Sequence, residues 1–157
     1  MHAAPMLTLR VLPPQVLMSQ VLAAPKVLLV EADPAVSAAL QRGLRRAGWI
    51  VLWAPDAGTA LRLKPAYAPD AVLLSLDLPD MDGSVLVARL ARDGDCAVVA
   101  LSGRGEAARM ATLDAGAHDY LAKPMAMRDI LLRLRAAARR WAPIVLADEA
   151  AGTSCPV

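Results

Sequence analysis

The chain has 157 residues, enough for one domain with a sizeable core and too few for two ordinary ones. Hydrophobic residues make up 57% of it, yet only 3% are aromatic and none is Phe, so the core has to be aliphatic. A formal net charge of +2 with scattered basic residues suits a soluble domain, not a nucleic-acid footprint.

Cys96 and Cys155 provide neither a disulfide framework nor a metal-ligand spacing, which points to a reducing cytoplasm. No apolar run reaches the length of a membrane span. Residues 1–25 combine Arg10 with a small-residue "VLAAP", as a secretion signal would. Pro13, Pro14, Gln15, Ser19 and Gln20 interrupt the apolar core such a signal needs. The expectation is a disordered or loosely attached extension, with Met18 as a second plausible start.

From Lys26 onward, short apolar runs alternate with helical patterns. "KVLLV" (26–30) reads as a buried strand. In the helix over 33–48, Asp33 suits the N-cap and Pro34 the first position. Val36, Leu40 and Leu44 form its apolar stripe, and Gly48 stops it. "IVLW" (50–53) is the second strand, followed by a short helix over 56–64. "AVLLS" (71–75) is the third strand, with a helix over 84–92 behind it. "AVVAL" (97–101), a helix over 106–115, the strand "DYLA" (119–122) and an amphipathic helix over 127–141 complete the pattern. In the last helix Ile130, Leu131 and Leu134 make the stripe. The tail, 142–157, is expected to be disordered and is too short for an output domain.

Five apolar strands alternating with five helices imply an α/β fold: an open, doubly wound parallel sheet covered on both faces. Ligands in such folds bind beyond the carboxyl ends of the strands. That rule selects Glu31, Ala32 and Asp33, then Ser75 to Asp77, Ser102 and Lys123.

The segments at those ends, "VLLVEADP", "DAVLLSLDLPDMDG", "VVALSGRG" and "AGAHDYLAKP", come in the order and spacing of a receiver domain of bacterial response regulators. Residues 26–141 resemble that family. The resemblance implies a flavodoxin-like five-stranded fold with strand order 2-1-3-4-5. It also implies a function: a typical receiver takes a phosphoryl group from a histidine kinase onto an Asp ending the third strand, with Mg²⁺ held by acidic residues. Such transfer is mostly positioning and charge stabilisation.

Here the acceptor position falls on Ser75, and the second acid after the first strand falls on Ala32, leaving Glu31. The resemblance places Ser102 at the hydroxyl switch and Lys123 at the phosphate-binding lysine. Pro124 follows in a bond that is often cis in the family. With two acids replaced, Mg²⁺ binding is expected to be lost, or weak at Glu31 and Asp77 at most. The chain reads as a pseudo-receiver, without a cofactor and not an enzyme. A serine nucleophile needs an adjacent base, and His118 and Cys96 fall at the wrong edge of the sheet. Asp77 is expected to balance Lys123 or face water, with a substitute-acceptor role as the alternative. Asp80 and Asp82 read as turn residues. With Ser75 and Ala32 uncharged, Glu31 or Asp77 should partner Lys123.

A second surface is marked by the fourth helix, fifth strand and fifth helix, with Arg109, Asp114, Asp119, Tyr120, Arg128, Asp129 and Arg133. "DYLAKP" resembles receivers of winged-helix transcription factors, which dimerise there through crossed salt bridges. Arg109 with Asp129, and Asp119 with an arginine of the fifth helix, would suit that pairing. Met125 stands where the family often has Phe. The expectation is a stand-alone, cytoplasmic signalling module acting by phosphorylation-independent protein–protein contact. Its partner would be itself, a histidine kinase or an output protein, with no direct nucleic-acid or membrane contact. The alternative is an active phosphoacceptor using Asp77.

Overall fold

A computed structural model describes residues 24–139. Five strands, β1 (Lys26–Val30), β2 (Ile50–Ala54), β3 (Ala71–Ser75), β4 (Ala97–Ser102) and β5 (Asp119–Ala122), form one parallel sheet in the order β2-β1-β3-β4-β5. The helices α1 (Pro34–Arg46), α2 (Ala57–Tyr67), α3 (Gly83–Arg92), α4 (Glu106–Asp114) and α5 (Met127–Arg139) alternate with them. The expected extension and tail lie outside the described residues, apart from Ala24 and Pro25, as do the last two positions of the helix expected over 127–141.

The period of two in each strand divides the core. Leu28, Val30, Val72, Leu74, Val98 and Ala100 pack on one face beneath Ala57 and Ala60 of α2 and Leu86 and Leu90 of α3. Val27, Leu29, Leu73, Val99 and Leu101 pack on the other, against Leu40 and Leu44 of α1 and Ile130 and Leu134 of α5. Each fully buried Leu or Val contributes about 1.5–3 kcal/mol relative to an exposed one. This explains a core without Phe: near-continuous aliphatic strands fill both faces.

Local chemistry sets the helix ends. Asp33, Asp56 and Asp82 cap α1, α2 and α3 through the N–H groups of Ala35, Thr59 and Ser84. α1 ends at Arg46, and Gly48 takes a φ of +91° that side chains disfavour. At Gly83 a Cβ would stand 2.5 Å from the Leu76 Cα, so α3 leaves β3 only because that side chain is absent.

Several boundaries differ from the sequence expectation by a residue or more. α2 continues through Pro65 to Tyr67, since a proline near a helix end breaks only one backbone bond while the apolar packing continues. β2 and β4 each extend by one residue, to Ala54 and Ser102, as their parallel neighbours keep pairing. Val36 is more exposed than its place in the stripe suggested, because α1 is packed through Leu40 and Leu44.

Candidate functional site

The C-terminal ends of β1, β3, β4 and β5 converge because all strands run the same way. Glu31 follows β1 and its N–H donates to the Ala54 carbonyl at 3.1 Å. Ser75 ends β3 and Ser102 ends β4, both fully buried. The Lys123 N–H donates to the Ser102 carbonyl at 2.9 Å, which sets the lysine beside that strand end. The Lys123–Pro124 peptide bond is cis.

These residues form a compact polar group. The Lys123 ammonium donates to the Ser75 hydroxyl at 3.0 Å and stands 3.5 Å from Glu31 Oε2. Glu31 is 4% exposed. Its Oε1 accepts from the Asp33 N–H at 3.0 Å, whereas Oε2 has the ionic contact with Lys123 but no hydrogen bond of acceptable geometry. The Trp53 indole N–H donates to the Glu31 backbone carbonyl at 2.8 Å, bringing an aromatic ring of β2 to the site. Ala32, half-buried, has no polar side-chain group. Of the two acids expected to partner Lys123, Glu31 does so.

Asp77 does not. The Arg104 Nε and Nη2 donate to one oxygen of Asp77 at 2.9 and 2.7 Å. Nη1 lies 3.7 Å from Asp82, and Nη2 also reaches the Leu76 carbonyl at 3.4 Å. The bond to Asp77 raises the Arg104 pKa, and the Asp77, Asp82 and Tyr120 oxygens add to that pull. The expectation that Asp77 balances Lys123 is thus corrected: Asp77 does face water, as the other half of that expectation had it, but an arginine on the next strand's loop holds it. Sequence reasoning passed over Arg104, although "LSGRG" sets it two residues after Ser102, on the same rim as Asp77.

Asp80 also has a role beyond its own turn. Its carboxylate accepts from the Ala57 and Gly58 N–H groups at 3.0 and 2.9 Å, capping α2 from another loop. Those two bonds hold its pKa below the usual carboxylate value.

The acids at the rim are already engaged. Glu31 is engaged by Asp33 and Lys123, Ser75 is neutral, Asp77 is bound to Arg104, and no group of three or more metal-ligating side chains occurs among the described residues. Neither His118 nor Cys96 stands beside Ser75. His118 Nδ1 accepts from the Val98 N–H near the start of β4, and Cys96 lies just before that strand. Burial pushes the Cys96 thiol up to about 12, which keeps it protonated.

On the second surface Tyr120 is buried, 7% exposed, with an unpartnered hydroxyl. Within the single chain Arg109 pairs with Glu106 of its own helix at 2.8 Å. Arg133 pairs with Asp119 at 3.2 Å within the molecule. These acids and bases are neutralised locally, since i,i+3 neighbours and adjacent elements lie nearest. Asp114, Arg128 and Asp129 are exposed, and Met125 lines an apolar groove of about 410 Å³ with Leu40, Leu101 and Ile130, ending at Lys123.

The response regulator receiver domain model matches residues 27–135. The chain belongs to this family. The receiver is 43% identical over 118 residues to the transcriptional regulatory protein PrrA of Mycobacterium tuberculosis, covering 74% of this chain and 51% of that protein. It is 40% identical over 131 residues to the response regulator MprA of Mycolicibacterium vanbaalenii, covering 82% and 55%. The receiver thus spans about half the length of the curated relatives it matches. A CheY-like receiver domain protein of Methanospirillum hungatei superposes with a TM-score of 0.70 at 25% identity, covering 76% of this chain and 97% of that one. The signal receiver domain of an HD domain-containing protein of Pseudomonas fluorescens gives 0.70 at 29%, covering 76% and 98%. Among the described residues, no helix is long and apolar enough to cross a membrane.

Proposed function

We propose that this chain is the receiver part of a two-component transcriptional regulator whose phosphoacceptor position has become a serine. Its state would then be set by binding through α4, β5 and α5, without phosphoryl transfer or Mg²⁺. The observation that carries the reading is the 3.0 Å bond from Lys123 to Ser75. The lysine that the family uses to hold a phosphoryl group here holds a neutral hydroxyl. Phosphoryl transfer depends on concentrated charge stabilisation, and only Glu31 remains of the expected acids.

The names of the relatives favour the second reading, an active phosphoacceptor of a two-component relay with Asp77 as the substitute acid. They lend no support to a stand-alone role, since the chain matches about half of each. The position of Asp77 weighs against that acid as acceptor, because Arg104 holds it through Oδ1 while Lys123 bonds Ser75 and Glu31 instead.

Intact mass after incubation with acetyl phosphate, with and without Mg²⁺, tests the two. An unchanged mass is expected. A labile, Mg²⁺-dependent adduct mapped to Asp77 would replace the first reading with the second.

A further inference from the structure

The helices are not held equally. α1, α2 and α3 each begin at a side-chain cap, whereas α4 begins at Gly105 with no side-chain cap bond. Thr112 is the one residue of α4 that is buried; Met110 is 50% exposed, and Arg109 and Ala111 are exposed. Few buried apolar contacts and an uncapped start mark an element that opens at low cost.

The connection into α4 is nevertheless tied down at one place. Arg104 lies two residues before Glu106, the first residue of α4. Its side chain reaches across to the β3–α3 rim, bonding Asp77 at 2.9 and 2.7 Å and approaching Asp82 at 3.7 Å. Its own N–H donates to the buried Ser102 hydroxyl at 3.1 Å. One residue therefore joins the strand end, the loop into α4 and the opposite rim, beside the inward ring of Tyr120.

We infer that Arg104 is a positioning residue, an ionic clasp that sets the docking of α4 and so the shape of the α4–β5 surface. This rests on the reading that the chain signals through that surface, and adds what governs it. The clasp ties the β4–α4 loop to the β3–α3 rim. Arg104 is 42% exposed and Asp77 60%, so the clasp is open to competition from salt or from a partner's anionic group.

Hydrogen exchange on the full chain, read by peptide mass, tests this. Arg104→Ala is expected to speed exchange across Glu106–Asp114 about 3–5-fold, the effect of a partly exposed ion-pair network. Exchange in α1 and α2 should stay unchanged. Asp77→Asn, at an exposed position that does not endanger folding, should do the same. The charge swap Arg104→Asp with Asp77→Arg should restore protection, and about 1 M salt should mimic the single variants in the wild type. Unchanged α4 exchange in both single variants would overturn the clasp, as would an equal rise along the whole chain. The phosphorylation measurement is separate: an adduct on the wild type would remove the proposed function, while Arg104-dependent exchange of α4 would still uphold the clasp.

Discussion

Two lysines sit at opposite ends of the same sheet, and their surroundings are mirror images. Lys64, on α2, is 6% exposed in its side chain and is gripped by Asp93 at 3.1 Å and Asp95 at 2.7 Å, themselves 65% and 60% exposed. Lys123 is 35% exposed, and its acid, Glu31, is the buried partner at 5%. At the first site the cation is buried and well satisfied by acids that water also solvates. At the second the carboxylate is buried and only loosely engaged. The first arrangement fastens α2 to the α3–β4 loop. The second leaves a polar group at a strand end with unspent bonding capacity, which is what a site for signals requires and a fastening does not.

The contrast yields a ranked set of expectations. The largest concerns the missing charge. Introducing Ala32→Asp together with Ser75→Asp should change the response to acetyl phosphate and Mg²⁺ from no adduct to a labile one on most molecules, as intact mass would show. If the double variant stays unmodified, the rim has diverged by more than its two lost acids.

Next come the lysines. Lys123→Met strands the buried Glu31 carboxylate and should destabilise the fold by about 2–3 kcal/mol in urea denaturation. Adding Glu31→Gln should recover most of that loss. Lys64→Met instead leaves two acids that rehydrate, so about 1–2 kcal/mol is expected. Equal losses at the two positions would break the comparison.

The smallest effect is one of pH. The bond to Lys64 holds Asp95 below its ordinary 3.8, so its contribution is present above that value and fades as pH falls through the lower folded value. For Lys64, burial pulls the pKa down, but the bonds to Asp95 and Asp93 outweigh it and raise it above 10.5. Its contribution is full below 10.5 and is lost as pH rises through the folded value. Both acids are mostly exposed, so each shoulder should amount to less than about 1 kcal/mol. Thermal melts of Lys64→Met against wild type should show both shoulders flattened, with the acid loss due to Asp80 retained.

The sheet was legible because its strands are unbroken aliphatic runs bounded by caps and turns. "KVLLV", "AVLLS" and "DYLA" coincide with β1, β3 and β5. Ser75, Glu31 and Lys123 were legible as a group for the same reason: parallel strands fix where their ends lie. What escaped was the pairing among long, charged side chains on loops. Asp77 could reach either Lys123 or Arg104, and sequence spacing does not rank two partners on different strands. The Lys64 cluster was hidden for a related reason: the lysine lies 29 and 31 residues before its two acids along the chain, and none belongs to a motif.

One contact near the site has a practical consequence. The Trp53 indole is tethered to the Glu31 backbone, and this chain has three Trp and only two Tyr in all. Any event that shifts the end of β1, whether a partner arriving or an acid restored at position 32, alters the polarity around that ring. The protein therefore carries its own optical reporter: emission from the Trp53→Phe variant, subtracted from that of the wild type, isolates the signal of the site without an added label.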